Sequence, residues 1–274
     1  MHHIRSLCVV VPVHKAVPSP AEAASLAACR NQLVDYPVYL VYPERLSPQA
    51  YLDVHPGLKL QPVPATWLAS VHAYNQMKMD VTFYQLFTSY EFLMTYELDA
   101  WIFSADIEGH HGFTYDFIGA PIFEGFMEAT PHAGFLPQLN SGFSIRRIPS
   151  CLKALDQLRR YRSRWKRQRF FLEKFRFLRR WVSPALLQVI FDDQLTGYFT
   201  GWYFHEDMIW THIVPVLFPF FKVAPPEVAA RFSFEVNAPM LLQRQQGVLP
   251  LGCHAWAKFP AFWQSYIPAA KMLL

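Results

Sequence analysis

The sequence predicts an α/β fold, a mostly parallel sheet with helices on both faces, carried by one domain across residues 1–274. Three observations point there. Short apolar runs alternate with stretches of helical periodicity, as in a sheet wrapped by helices. The chain opens strand, helix, strand. An acidic residue, Asp99, then ends the apolar run 92–103 where a strand of such a sheet would open onto a cleft.

Taken in order, residues 7–13 form a buried strand, and residues 19–32 a helix opened by Ser19-Pro20 with an acid in its first turn. Residues 38–42 are a second strand, which Pro43 ends. Residues 58–63 alternate as a third, at the sheet edge because Pro62 cannot donate to a ladder. Residues 73–95 carry apolar and aromatic side chains at helical spacing and lead into the strand that ends at Asp99. Beyond it the pattern turns irregular, with Asp106, Glu108, His110, His111 and Asp116 ahead of a short strand at 117–121. In 139–146 a glycine, Gly142, sits between apolar residues, as where backbone passes close to a ligand.

An apolar content of 52% over 274 residues allows one large domain or two small ones. With only 11 Gly, no low-complexity tract and no internal repeat, nothing marks a linker, and one domain follows. Aromatics at 16% and 22 prolines point to long ordered loops and a surface for planar or ring-shaped ligands, although aromatics also fill ordinary cores. The four cysteines, Cys8, Cys29, Cys151 and Cys253, have no C-x-x-C spacing, so neither a zinc ribbon nor a disulfide framework is indicated, and a reducing compartment fits. The first apolar stretch is short and closed by Pro12 without a cleavage site, so it reads as a strand and not as a signal peptide. No apolar run reaches the ~18 residues of a membrane span.

The net charge of +4 is unevenly spread. Residues 159–180 hold eleven of the 25 Lys and Arg against one acid, Glu173, giving +10 there and −6 elsewhere. Leu158, Tyr161, Trp165, Leu172, Phe175 and Leu178 recur near helical spacing among these arginines, so residues 158–182 read as a basic amphipathic helical insertion.

An unpaired carboxylate in an apolar run costs several kcal/mol to desolvate, so Asp99 needs a metal, a cation or the mouth of a cleft. On a strand Glu97 and Asp99 share a face while Leu98 turns to the core, and the two carboxylates converge on one divalent cation facing a phosphate-bearing ligand. The alternative is a strand-end Asp capping the next turn. The paired histidines His110-His111 invite a zinc-hydrolase reading, but no i, i+4 His pair brackets a Glu.

Four elements stand in order: Glu97-Leu98-Asp99, Asn140-Ser141-Gly142-Phe143-Ser144, His205-Glu206-Asp207 and Gly252-Cys253-His254-Ala255-Trp256. Together they resemble the GT-A fold of nucleotide-sugar-dependent glycosyltransferases, with its acidic D-x-D-like motif, glycine-containing loop, x-E-D motif and C-terminal His. More closely, the chain resembles a poorly characterised glycosyltransferase-like family of bacterial polysaccharide loci, through Tyr96 to Trp101, Tyr115 to Pro121, Ser141 to Arg146, Glu206-Asp207 and Cys253 to Trp256. The departure is Glu97 in place of the motif's first Asp.

The resemblance implies a GT-A-like, Rossmann-type mixed sheet and transfer of a sugar from a nucleotide sugar, foremost a UDP-sugar, to a hydroxyl of a glycan or lipid-linked glycan. It implies a divalent metal on Asp99, Glu97 and His254, with Mn²⁺ preferred over Mg²⁺ because a nitrogen ligand favours later metals. By the same match Asp207 is the general base and Glu206 holds an acceptor or sugar hydroxyl, which makes the reaction inverting. The donor would lie over Pro12, Val13, His14 and Lys15, with Tyr74, Asn75 and Lys78 nearby, and Asn140, Ser141, Gly142 and Trp256 would face the donor sugar or the acceptor. Plain alternatives remain at this stage: a core His254, a helix-start acid pair at Glu206-Asp207, a turn at Asn140-Ser141-Gly142 and a solvated Lys78.

The basic helix suits an anionic membrane surface, placing the protein in the cytoplasm or on the inner face of the cytoplasmic membrane beside a lipid-linked acceptor. Two competing functions are a noncatalytic nucleotide-sugar or glycan-binding module, which Glu97 would allow, and nucleic-acid binding through the Arg-rich helix. The acidic remainder of the chain and the absence of a nucleic-acid motif argue against the second, so no nucleic acid is expected.

Overall fold

A six-stranded sheet in the order β3 (Lys59–Val63), β2 (Val38–Pro43), β1 (Leu7–Pro12), β4 (Phe92–Tyr96), β9 (Phe143–Arg147) and β6 (Phe117–Ile118) forms the centre of the computed structural model, which describes residues 6–191 and 205–274. Strand β1 (Leu7–Pro12) is flanked in parallel by β2 (Val38–Pro43) and β4 (Phe92–Tyr96), which is why Leu7 to Val11 can all be apolar. Each of its buried valines contributes about 1.5–3 kcal/mol. Helix α1 (Pro20–Gln32) begins on a capping box in which Ser19 and Glu22 satisfy each other's backbone N–H groups. Strand β3 (Lys59–Val63) pairs with β2 alone, so Pro62 sits at the edge as its chemistry requires.

The second half of the sheet departs from the parallel pattern. Strand β9 (Phe143–Arg147) runs antiparallel to β4, and the two-residue β6 (Phe117–Ile118) antiparallel to β9. A three-stranded sheet, β10 (Ser233–Phe234), β11 (Gly252–Cys253) and β5 (Trp101–Ile102), lies beyond β4, around a second apolar cluster that includes Trp256, Trp263 and Phe234.

Three expectations change. The helical stretch 73–95 is two short helices, α3 (Val71–Met77) and α4 (Val81–Gln85), because the Asp80 carboxylate caps Thr82 N–H and restarts the helix. Strand β4 stops at Tyr96, so Glu97 and Asp99 converge through a turn, closed by Ala100 N–H on Glu97 O at 2.8 Å, and not by strand alternation. The basic stretch 158–182 does not begin its own helix. Its residues up to Lys174 continue α5 (Ile148–Lys174), whose first turns bury Ile148, Cys151, Ala154 and Leu155 and whose later turns are mostly exposed apart from Leu172. A tight turn, Arg176–Trp181, folds the chain back into α6 (Pro184–Phe191), where Arg179 lies 4.3 Å over the Phe191 ring. Phe170, Phe171, Phe177 and Trp181 remain exposed there.

Candidate active site

The carboxyl ends of β1 and β4 open side by side, as they must in a parallel pair. A cleft of about 490 Å³ lies over them, lined by Pro12, Val13, His14 and Lys15 after β1, Glu97, Leu98 and Asp99 after β4, and Ser70, Val71 and Tyr74 from the start of α3. Tyr51 completes one wall and fixes the first loop by donating to Lys15 O at 2.9 Å.

At one lip of the cleft three side chains meet: Glu97, Asp99 and His254, each offering a ligand atom within 4.8 Å of the others. Topology brings them together. Strands β10 and β11 are parallel and β5 runs antiparallel to β11, so the ends of β10 and β11 and the start of β5 share one side of the small sheet. His254 leaves β11 there, and Asp99 sits just before β5. Antiparallel pairing of Tyr96 with Phe143 sets Ser141-Gly142 beside Glu97, whose N–H donates to Gly142 O at 2.9 Å.

His254 Nε2 lies 3.1 Å from Asp99 Oδ1 and 3.6 Å from Glu97 Oε2, yet this buried atom makes no aligned hydrogen bond to either. An imidazole nitrogen near two carboxylates but out of line with both is the disposition of ligands around a shared ion, and the nitrogen-and-oxygen donor set fits a divalent cation. Burial pulls the imidazole down, but Asp99, Glu235 and Glu97 together raise it well above its usual range. A proton and a metal ion compete for this same negative pocket. Gly142 is required by contact: a Cβ there would fall 2.1 Å from His254 Nε2.

Behind the lip lies a buried ion network. The Lys78 ammonium contacts Glu206 Oε1 at 2.6 Å and Glu97 Oε1 at 3.3 Å, and donates to Ser141 Oγ at 2.9 Å. Arg146, fully buried on β9, reaches Glu206 at 3.1 Å and Tyr84 OH at 2.9 Å. Ser141 Oγ also donates to Glu206, and Tyr74 OH donates to Glu97 Oε1 at 2.9 Å. Two cations thus face two carboxylates. Burial pushes the Glu97 carboxyl up, but Lys78 and His254 hold it below the carboxylate range, and Arg146 and Lys78 do the same for Glu206.

Next in the chain, Asp207 has the opposite fate. Burial and the neighbouring Glu206 charge push its carboxyl up to about 6. Its Oδ1 accepts the Met208 N–H at 2.8 Å. A π turn, Ile209–Ile213, follows, a feature that recurs at functional sites.

The residues singled out in the sequence therefore divide. Pro12, Val13, His14, Lys15, Tyr74, Glu97, Asp99 and His254 gather at the cleft and its lip. Lys78 lies beneath the lip with its ammonium on three protein oxygens, and no donor is left over for a diphosphate. Asn75 faces the helix start at Glu206, accepting its N–H at 3.1 Å, and is not among the residues lining the cleft. Glu206 is sealed in the ion network. Trp256, expected to face a sugar, is fully buried with its indole N–H on Ala100 O at 3.1 Å; its backbone N–H holds Asp99 O. Asn140 and Ser141 support the lip, Asn140 Oδ1 accepting Gly142 N–H at 2.8 Å. Glu235, Arg146, Tyr51 and Ser70 went unread, because each is recruited by pairing between distant strands or by loop packing.

Residues 57–254, more than half of the chain, match the family described as "Protein of unknown function (DUF5672)". The chain belongs to this family. The matched stretch runs from just before β3 to the lip histidine, His254, and covers Glu97, Asp99 and His254. No curated protein matches. Among solved structures, the chain is similar to the galactosyltransferase LgtC in complex with donor and acceptor sugar analogues, at TM-score 0.48 and 12% identity over 97% of this chain and 93% of that one. It is also similar to mouse xyloside xylosyltransferase 1 in its apo form, at TM-score 0.47 and 10% identity over 90% of this chain and 96% of that one. A glycosyltransferase involved in glycosylating the major capsid of PBCV-1 gives 0.44 and 10% over 97% and 98%.

Proposed function

We propose that this DUF5672 protein is a glycosyltransferase that moves a sugar from a nucleotide sugar, foremost a UDP-sugar, to a hydroxyl of a glycan or lipid-linked glycan. The observation that carries the reading is the Glu97, Asp99 and His254 cluster at the lip of a cleft over the carboxyl ends of β1 and β4. A cleft of this size and position suits a nucleoside diphosphate, with Pro12 to Lys15 and Tyr74 as its walls.

When bound, a divalent ion on these three residues, Mn²⁺ in preference to Mg²⁺, offsets the negative charge that the departing diphosphate gains. The remaining work falls to the chain. Asp207, its carboxyl near 6, takes the proton of the acceptor hydroxyl as general base, and direct attack inverts the anomeric centre. Glu206 does not hold substrate; its buried charge tunes Asp207 and anchors the helix start to Lys78 and Arg146. Asn140, Ser141 and Gly142 set the backbone against which the sugar lies.

The basic reach of α5 and the turn after it, with exposed Phe170, Phe171, Phe177 and Trp181, supports a second part of the reading: docking to an anionic membrane, on the cytoplasmic leaflet, where lipid-linked acceptors lie. Among the described residues no helix is long and apolar enough to cross a membrane. Calorimetric titration of UDP-, GDP-, CMP- and dTDP-linked sugars with and without Mn²⁺ tests the donor site. Binding that needs the metal and is lost in Asp99→Ala is expected, and no binding by any nucleotide overturns the reading. Flotation with anionic vesicles tests the membrane face, which fails if reversing the arginines to glutamate leaves binding unchanged.

A further inference from the structure

We infer that Glu235 is a positioning residue for the cation site, fixing the His254 ring so that Nε2 faces Glu97 and Asp99; this rests on the reading above that those three residues bind a divalent ion. Phe234 and Cys253 are paired neighbours on the parallel strands β10 and β11, so the next residue of each strand, Glu235 and His254, emerges side by side. The His254 backbone N–H ties the two ends together on Phe234 O at 2.8 Å.

Glu235 is 3% exposed, a burial that a carboxylate tolerates only with partners. Its Oε1 lies 3.2 Å from His254 Nδ1 and 3.4 Å from Asn140 Nδ2, and among the described residues no Lys or Arg pairs with it. With the carboxylate oxygen as acceptor, the geometry assigns Nδ1 as the donor. On the neutral ring this puts the hydrogen on Nδ1 and leaves the Nε2 lone pair on the side of Asp99 and Glu97. The buried Nε2, close to two carboxylate oxygens and aligned with neither, is the atom so prepared.

Asn140 makes the arrangement stiff. Its amide nitrogen holds Glu235 while its carbonyl oxygen takes Gly142 N–H at 2.8 Å, and Gly142 is the residue whose missing Cβ makes room for the ring. After His254 the chain is turned away by Ala255 in the left-handed region at φ 52°, strain that an alanine sustains only where its surroundings dictate it. The ring is thus gripped on its Nδ1 side by Glu235 and packed by Gly142 on the other. Outer-shell carboxylates of this kind are worth roughly 10- to 100-fold in metal affinity.

The test is Mn²⁺ binding to the full chain without nucleotide, read from the free Mn²⁺ resonance, for wild type, Glu235→Gln, Glu235→Ala and Asn140→Ala, each with its metal-free melting curve. Glu235→Ala is expected to weaken Mn²⁺ about 10- to 100-fold. Glu235→Gln, which keeps an acceptor for Nδ1–H, recovers part of that loss, and Asn140→Ala falls between wild type and Glu235→Ala. Affinity follows the acceptor at Nδ1, where a merely structural role would make it follow the melting temperature. If Glu235→Ala does not fold, the nearly isosteric Glu235→Gln and Asn140→Ala decide. Folded variants that bind Mn²⁺ as tightly as wild type overturn the role of Glu235 and leave the cation site standing. Wild type that binds no Mn²⁺ overturns the cation reading, and this one with it.

Discussion

The acid pairs Glu97-x-Asp99 and Glu206-Asp207 lie 107 residues apart in the chain, counted from Asp99 to Glu206, yet share one cation, Lys78, and sit in opposite surroundings. In each pair the first carboxylate is neutralised from within, Glu97 by Lys78 and Tyr74, and Glu206 by Lys78, Arg146 and Ser141. What differs is the second. Asp99 follows a turn at an open cleft, its side chain 45% exposed, and is free to meet a ligand. Asp207 is half-buried beside the Glu206 charge, and its carboxyl holds a proton up to about pH 6. Exposure next to a neutralised partner leaves Asp99 the reach that the proposed cation ligand needs; burial next to a like charge gives Asp207 the raised carboxyl that the proposed base needs.

The largest effect should come from removing what the pairs share. Lys78→Met leaves Glu206 and part of Glu97 without their ammonium, and a loss of about 3–5 kcal/mol in chemical denaturation is expected. A loss under about 1 kcal/mol would mean the network is not the common support. Asp207→Asn separates the pairs next. It should cut kcat about 100- to 10,000-fold in a donor-transfer assay while leaving Mn²⁺ affinity unchanged.

The same substitution has a pH signature of defined sign. Because the folded carboxyl titrates near 6 and the unfolded one near 3.8, ionised Asp207 disfavours the fold, by nothing below about pH 4 and in full above about pH 6. Asp207→Asn should therefore equal wild type in stability at pH 3 and exceed it at pH 7 by up to about 3 kcal/mol. Wild-type turnover should rise through pH 6 as the base ionises. Equal stability of the two proteins at both pH values would show that Asp207 is solvated.

Asp99→Ala sharpens the other side. Nucleotide affinity in Mn²⁺ should fall to its metal-free level, with stability within about 0.5 kcal/mol of wild type, because the side chain is exposed. Smaller again is Gly142→Ala, whose Cβ displaces the His254 ring and should weaken Mn²⁺ about 10-fold in the same titration.

Much of this was legible in the sequence where the signal is local. Apolar runs located β1, β2 and β4, Ser19-Pro20 opened α1, and Pro62 marked an edge strand, since each depends only on what neighbouring residues can bury or donate. Asp99 announced itself as a charge in an apolar run, and Gly142 as a gap where something passes close. The helix 73–95 was overextended because periodicity outweighed the cap at Asp80. The basic segment was cut too short, because the first turns of α5, buried on the sheet, have no charge asymmetry to reveal them.

By itself the sequence determined the α/β alternation, the acidic strand end and the separation of positive charge into one stretch, because period, burial and charge are properties of adjacent residues. Only the tertiary structure decided which carboxylates are sealed in an ion network and which open onto the cleft. Lys78, Arg146, Glu206 and Glu97 meet across 128 residues between Lys78 and Glu206, and Glu235 meets His254 across paired strand ends. A carboxylate's protonation and reach depend on the charges and the water around it, and those are set by the three-dimensional packing of distant segments.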